Sequence, residues 1–199
     1  MAAWLGAVAL VLAAATGAVT VKPTGTSEIV PNGRIDSTEW SDATRVPMGE
    51  GVTLLIKANE EEIAIAVKSS ARGPQYTDLY LTASDGQMWN LHAEQQTAER
   101  KLEGTTWTDT DPAFIPYNNA NWRANVVEFK PGADATAPMA KQVKAYDGQE
   151  FFIKRSGFAG KQWRLRVELH DLAREKPDLV YPATSDRYDT TGWATINLP

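Results

Sequence analysis

The sequence contains no cysteine. It therefore cannot form a disulfide framework, a thiolate zinc site, an iron–sulfur cluster or a cysteine nucleophile. An excess of positive charge is also missing, since 20 Lys and Arg residues face 25 Asp and Glu residues. This balance argues against a nucleic-acid partner, because nucleic-acid-binding surfaces are basic. The apolar fraction of 43% and the charged fraction of 23% are typical of a folded globular domain.

The N-terminus lacks charge. Residues 1–21 contain no charged side chain, and the apolar run from Trp4 to Ala15 is followed by small residues. A membrane span needs about 20 apolar residues, so this shorter pattern favours a secretory signal peptide. We predict a signal peptide at residues 1–18 and a domain over residues 24–199. The protein is then secreted or periplasmic, and it contacts a membrane only if the signal stays uncleaved.

The remainder of the chain has the pattern of β-structure. Short β-branched or alternating segments are separated by turn signals from Val52 onward. Asp85 and Gly86 form a strong turn signal between segments 76–83 and 87–92, which predicts a hairpin. Segment 162–169 alternates apolar and charged residues, as a strand with one buried face does.

These segments predict one all-β domain, an antiparallel β-sandwich of the jelly-roll or immunoglobulin-like kind. Short helical turns are expected only near residues 93–102 and 170–175. Several basic residues of the last strands, Arg164 and Arg166 among them, are expected to line an exposed strand face.

One motif carries a family resemblance. Residues 32–40 have the sequence NGRIDSTEW, which resembles the opening of family 9 carbohydrate-binding modules and related DOMON-like sandwiches. The order of the later strands is also similar, and the likeness spans roughly residues 28–199. The motif itself has a structural explanation, in which a tight turn at Asn32 and Gly33 brings Trp40 into a buried position that plugs one end of the sandwich.

The resemblance implies a noncatalytic module that binds saccharides. In sugar-binding members of this family, aromatic rings clamp the end of a sugar, one before a central strand and one shortly before the last strand. The counterparts in this chain are Tyr76 and either Tyr181 or Tyr188. The tryptophan pair of the family is absent at these positions.

A second candidate ligand site lies in the long segment between Trp107 and Arg123. Long loops in compact domains are often functional. This one combines rings for stacking with amide and guanidinium groups for hydrogen bonds to hydroxyls. The predicted ligand-binding residues of the segment are Tyr117, Asn118, Asn121, Trp122 and Arg123.

Metal and haem sites have weaker support. The carboxylates of Asp109 and Asp111 are candidates for structural calcium, and no other cofactor is expected. The two histidines, His92 and His170, have no partner at metal-binding spacing. DOMON-like relatives that hold haem use an axial Met with His or Lys, and the eligible residues here are His92, His170, Met48, Met88 and Met139.

Motifs for catalysis are missing, because the sequence has no G-x-S-x-G, P-loop or H-E-x-x-H pattern. The sequence thus predicts an exported, noncatalytic module that binds a glycan or cell-wall saccharide by aromatic stacking and by hydrogen bonds from Asn and Arg. Two alternatives stay open, namely a structural or protein-interaction domain of the cell envelope and a haem electron-transfer module.

Overall fold

The computed structural model describes residues 18–24, 30–35, 38–110 and 120–199. Most of the predicted signal peptide lies outside these residues. The strands are β1 (Val19–Thr20), β2 (Thr44–Gly49), β3 (Val52–Ala58), β4 (Glu62–Lys68), β5 (Gln75–Thr82), β6 (Met88–Ala93), β7 (Thr97–Glu103), β8 (Thr106–Asp109), β9 (Trp122–Ala124), β10 (Gly148–Lys154), β11 (Gln162–Asp171), β12 (Leu179–Tyr181) and β13 (Ala194–Asn197). The helical segments of this part are α1 (Met139–Gln142) and two 3₁₀ turns, Ser70–Arg72 and Thr190–Gly192.

The strands form two sheets, which confirms the predicted all-β sandwich. Within the described residues the larger sheet has the order β1-β13-β11-β5-β6-β7-β8, with β12 also paired to β11. The smaller sheet has the order β2-β3-β4-β10-β9. Neighbouring strands are antiparallel except for β1, which runs parallel to β13. This first strand and the buried Val21 precede residue 24, where the sequence placed the start of the domain.

The main core lies between the two sheets. Strand alternation turns one side of each strand inward, so that Ile56 and Ile65 of the smaller sheet pack in one cluster with Leu79, Leu91 and Val167 of the larger sheet. All five side chains are at most 2% exposed. The predicted hairpin of β5 and β6 is confirmed, and β3 and β4 form another antiparallel hairpin.

The outer side of the smaller sheet is covered by the segment that carries the NGRIDSTEW motif. Ile35 and Trp40 pack there on Leu55, Ala66 and Phe152 in a second apolar cluster. The expected burial of Trp40 is confirmed, with 0% exposure. Its ring covers a sheet face and does not plug an end of the sandwich. Residues 36–37 of the motif lie outside the described residues.

A buried carboxylate fixes this covering segment to the sheet. Glu150 projects from β10 and accepts hydrogen bonds from the backbone N–H groups of Asn32 (3.0 Å) and Gly33 (2.8 Å) and from the indole of Trp40 (3.1 Å). Gly33 has a φ of +74°, and a Cβ there would lie 2.9 Å from Asn125. Glycine is therefore required at this turn.

Short helical turns are present, but the two predicted positions, 93–102 and 170–175, are wrong. Residues 97–103 form β7, which pairs with both β6 and β8. This segment contains good helix formers, but pairing with two strands outweighs the local helix preference. Strand β11 continues to Asp171, whose carboxylate then accepts backbone N–H bonds from Glu175 and Lys176 in a turn.

Candidate functional site

The outer side of the larger sheet carries polar side chains, whereas the outer side of the smaller sheet carries apolar ones. Alternation along β5 turns Leu79 and Leu81 toward the core and leaves Tyr76, Asp78 and Tyr80 on the opposite side. Strands β6, β7 and β11 add further polar groups to this side. We call the following set the polar face: Tyr76, Asp78, Tyr80, Asn90, His92, Arg100, Arg166, Glu168 and His170.

Strand register sets these residues side by side. Asp78 lies directly opposite Glu168 of β11 and opposite His92 of β6. In the next row, Tyr80 lies opposite Arg166. Side chains directly opposite one another on antiparallel strands lie about 5 Å apart at Cβ, close enough to interact. Residues far apart in sequence therefore form one continuous network.

Asp78 lies at the centre of this network and is 8% exposed. Its Oδ1 accepts a hydrogen bond from the amide of Asn90 (2.9 Å) and lies 3.0 Å from Nδ1 of His92. Its Oδ2 lies 3.0 Å from Nε2 of His170. Burial raises the pKa of Asp78, but the hydrogen bonds from His170 and His92 outweigh burial and hold the pKa well below its usual range.

Glu168 is the second buried carboxylate of the polar face. Its Oε1 accepts hydrogen bonds from Nη2 of Arg166 (2.6 Å) and Nη2 of Arg187 (3.2 Å). Its Oε2 accepts a hydrogen bond from the hydroxyl of Tyr80 (2.9 Å). Burial, together with the charges of Asp78 and Glu168, raises the pKa of that hydroxyl, so Tyr80 stays a donor at neutral pH.

His170 contacts Asp78, Asp178 and Tyr76. Its Nδ1 lies 3.0 Å from the carboxylate of Asp178, and its ring stacks on Tyr76 with centroids 4.6 Å apart. Burial lowers the pKa of His170, but the hydrogen bond and negative charge of Asp78 outweigh burial, and the net shift is upward.

Aromatic rings surround Tyr80 at the other end of the face. Trp107 of β8 packs edge-on against Tyr80 at 5.4 Å, and Trp193 lies 6.1 Å from it. Tyr188, which is 52% exposed, lies 6.4 Å from Trp107. We call Trp107, Tyr188 and Trp193 with Tyr80 the aromatic end of the polar face.

Two N–H donors at the aromatic end have no acceptor among the residues that the structure describes. The guanidinium of Arg166 lies over the ring of Tyr80 at 5.0 Å and is 4% exposed as a residue. Its Nη1 and the indole Nε1 of Trp107 are buried and lack a hydrogen-bond partner in the described part of the chain. The prediction that Arg166 is exposed is therefore wrong, whereas Arg164 is exposed. A buried donor without an acceptor costs about 1–3 kcal/mol.

Two of the predicted ligand-binding residues lie on this side of the molecule. Tyr76 is half-buried and contacts both histidines, with its ring 5.6 Å from that of His92. Tyr188 lies at the aromatic end, where it contacts Trp107. Tyr181, the alternative to Tyr188, is buried in the core.

The second group of predicted residues lies on the smaller sheet. Trp122 is 2% exposed, donates its indole N–H to Glu99 at 2.8 Å and stacks on Phe151 inside the core. Asn121 is exposed, and its backbone carbonyl accepts the N–H of Lys154. The sheet thus places both residues away from Tyr76.

Arg123 also lies away from the polar face. Its guanidinium stands over Phe152 on the outer side of the smaller sheet and lies 3.1 Å from the carboxylate of Glu62. Tyr117 and Asn118 are outside the described residues. The structure therefore does not bring the described members of this loop together with Tyr76 and Tyr188.

The described candidates for metal and haem ligands have other partners or lie in different parts of the fold. Asp109 forms an ion pair with Arg100 at 2.9 Å, and Asp111 lies outside the described residues. Met48 lies in the core and Met139 begins α1, while both histidines are bound to Asp78. Met88 begins β6. These positions give no support to the haem alternative.

Sequence reasoning missed Asp78, Arg166, Glu168 and Trp107. The sequence did contain a signal for the polar face. Every second residue of β5, namely Tyr76, Asp78 and Tyr80, is polar, while the residues between them are buried. Strand β11 shows the same alternation. Polar alternation is usually a solvated face. Only the register shows that these side chains hydrogen-bond to one another.

In the described part of the chain no helix is long and apolar enough to cross a membrane. Comparisons of the chain with protein-family models, with curated proteins and with solved structures give no match. The resemblance to family 9 carbohydrate-binding modules stays a prediction from the sequence.

Proposed function

We propose that this protein is an exported, noncatalytic module that binds a glycan or cell-wall saccharide at the aromatic end of the polar face. The observation that carries the proposal is the pair of unpartnered donors, Nη1 of Arg166 and Nε1 of Trp107. A saccharide offers many hydroxyl oxygens that accept hydrogen bonds, so a bound sugar would satisfy both donors.

The rings at this end supply the second requirement of sugar binding. Tyr188 is exposed and Trp107 is half-buried beside it. Aromatic faces pack well against the C–H groups of a pyranose ring, and a polar tip on each ring remains available for hydrogen bonds. Ligand sites typically combine apolar rings with a small number of well-placed polar groups.

The carboxylates of the face support binding over catalysis. Glycoside hydrolysis needs one carboxylic acid whose pKa is raised, so that it can protonate the leaving oxygen. Asp78 has the opposite shift, because its bonds to two histidines hold its pKa low. Glu168 accepts hydrogen bonds from two arginines and one tyrosine.

A glycan-array screen followed by titration of intrinsic tryptophan fluorescence tests the proposal. Trp107 and Trp193 border the site, so a bound saccharide is expected to change the emission. Trp107→Phe keeps the ring but removes the N–H donor, and we expect about 10-fold weaker binding from the loss of one hydrogen bond. Tyr188→Ala should weaken binding by a similar factor through lost stacking.

The matched control is Arg164→Gln. Arg164 is exposed on the same side of β11 and donates to the carbonyl of Thr190, so its loss should leave the affinity unchanged. If no glycan alters the fluorescence, or if Arg164→Gln and Trp107→Phe weaken binding equally, the saccharide proposal is wrong.

A further inference from the structure

Three potential metal ligands converge on the polar face beside the aromatic end. They lie in the rows of strand pairs that follow the row of Tyr80. They belong to Asp78, Glu168 and His170, and one ligand atom of each residue lies within 4.8 Å of the other two. The atoms that face one another are Oδ2 of Asp78, Oε2 of Glu168 and Nε2 of His170. The histidine nitrogen lies 3.0 Å from the Asp78 oxygen and 3.7 Å from the Glu168 oxygen. In tetrahedral zinc sites with bonds of about 2.0–2.1 Å, neighbouring ligand atoms are about 3.3 Å apart. The observed separations bracket that value.

We propose that Asp78, Glu168 and His170 bind a divalent first-row transition cation, with zinc as the best fit. One imidazole nitrogen and two carboxylate oxygens suit zinc better than calcium or magnesium, which prefer oxygen ligands alone. Three protein ligands leave a fourth position to a water molecule. This site goes beyond the proposed saccharide binding and does not depend on it.

The environment of His170 supports the proposal. Metal-binding histidines usually donate their second N–H to a carboxylate, which fixes the tautomer and turns the free nitrogen to the metal. In this structure Nδ1 of His170 lies 3.0 Å from Oδ2 of Asp178, on the side of the ring opposite to Nε2. Asp178 therefore serves as the positioning residue for the ligand.

Hydrogen bonds from neighbouring side chains also orient each carboxylate so that one of its oxygens faces His170. In Asp78, Oδ1 is bound to Asn90 and His92, and Oδ2 lies on the side of His170. In Glu168, Oε1 takes both arginine bonds. Oε2 accepts a hydrogen bond from the hydroxyl of Tyr80 and is also the oxygen that lies 3.7 Å from Nε2 of His170, so a metal would share it with that hydroxyl.

Charge and access also fit a cation. The ligand side chains of Asp78, Glu168 and His170 are 12%, 5% and 12% exposed, so they are shielded from bulk water but remain open at the surface. Since Arg166 and Arg187 already balance Glu168, a divalent ion adds the positive charge that Asp78 and Asp178 can accommodate.

Isothermal titration of zinc chloride into protein that carries no histidine tag and has been treated with a chelator tests the site. We expect one zinc ion per chain. His170→Ala should weaken binding at least about 100-fold, and His170→Gln provides the same test if the alanine variant does not fold. Asp178→Asn, in a side chain that is 54% exposed, should weaken binding about 10–100-fold by releasing the imidazole.

The control is Asp109→Asn. Asp109 lies on the same side of the larger sheet as the proposed zinc ligands, and its carboxylate is paired with Arg100. This substitution should leave zinc affinity unchanged, as should Trp107→Phe at the saccharide site. Wild-type protein that binds no stoichiometric zinc would overturn the proposal, and so would a His170→Ala variant that binds zinc as tightly as wild type. Neither result bears on the glycan screen, which can be run in the presence of a chelator.

Nuclear magnetic resonance of the imidazole nitrogens provides a readout that a purely structural role would not move. The chain has two histidines, so each gives a resolved signal. Zinc should strongly shift the resonance of Nε2 of His170. The resonances of His92 should shift less, because His92 contacts Asp78 through Oδ1 and does not bind the metal. A larger shift at His92 than at His170 would show that the ligand assignment is wrong.

Discussion

The outer faces of the two sheets bury carboxylates in opposite surroundings. On the smaller sheet, Glu150 is covered by an apolar layer, and its donors among the described residues are uncharged N–H groups. On the larger sheet, Asp78 and Glu168 are surrounded by histidine and arginine. Burial raises the pKa of Glu150 to about 6 despite the N–H bonds of Gly33, Trp40 and Asn32, while the pKa of Asp78 is lowered.

This difference shows what each face is suited to do. A face that is covered by Ile35 and Trp40 gains stability from apolar burial. The polar face has little apolar cover and leaves two donors unsatisfied, as binding sites often do at a cost in stability. Substitutions on the two faces should therefore separate stability from binding.

The largest expected effect is that of Trp40→Ala on the covered face. Removing a fully buried indole leaves a cavity and should lower the free energy of unfolding by about 3–5 kcal/mol. The matched substitution Tyr188→Ala, in an exposed ring of the polar face, should change stability by no more than about 0.5 kcal/mol. Urea denaturation measures both, and equal losses would contradict the division between the faces.

Glutamine substitutions compare the carboxylates directly. Glu168→Gln leaves the buried guanidinium of Arg166 without its charged partner and should cost about 3 kcal/mol. Glu150→Gln removes no ion pair, but it turns an amide N–H toward the indole N–H of Trp40, and we expect a smaller cost of about 1–2 kcal/mol at pH 7. The reverse order, measured by urea unfolding at pH 7, would show that the cationic partners contribute little.

The pH dependence of stability provides a smaller effect. The folded pKa of Glu150, about 6, lies above the unfolded value near 4.5, so its contribution to stability is complete below about pH 4.5 and is lost as the pH rises through about 6. The loss amounts to about 2 kcal/mol. In urea unfolding between pH 4.5 and 7.5, the stability of wild type relative to Glu150→Gln should fall over this window. A constant difference would mean that Glu150 titrates at its ordinary pKa.

The smallest expected effect concerns the unsatisfied donor of Trp107. Trp107→Phe removes a buried N–H group without an acceptor and should leave stability unchanged or raise it by up to about 1 kcal/mol in the absence of ligand. Thermal unfolding measures this change. A clear loss of stability would indicate that the indole N–H has an acceptor in solution.

Much of the fold could be predicted because it follows from local patterns. Alternation in segment 162–169 and the turn at Asp85 and Gly86 predicted β11 and the β5–β6 hairpin close to their observed bounds. The helical turns at 93–102 and 170–175 could not be excluded locally, since their residues favour helix and only strand pairing decides against it.

The candidate site was predicted only in part. Tyr76 and Tyr188 lie on the polar face, whereas Trp122 belongs to the core and Arg123 to the other sheet. Aromatic residues are equally suited to a core and to a ligand site, and composition alone does not distinguish the two.

The sequence by itself determined the all-β character of the domain, the absence of thiol chemistry and the burial of Trp40, because each depends on residue type and short-range order. The tertiary structure decided which polar residues meet. Asp78, Glu168 and His170 come together only through the antiparallel register of β5 and β11, which joins positions about ninety residues apart. No spacing along the chain encodes that contact, because hydrogen-bonded pairing between strands is set by the packing of both sheets.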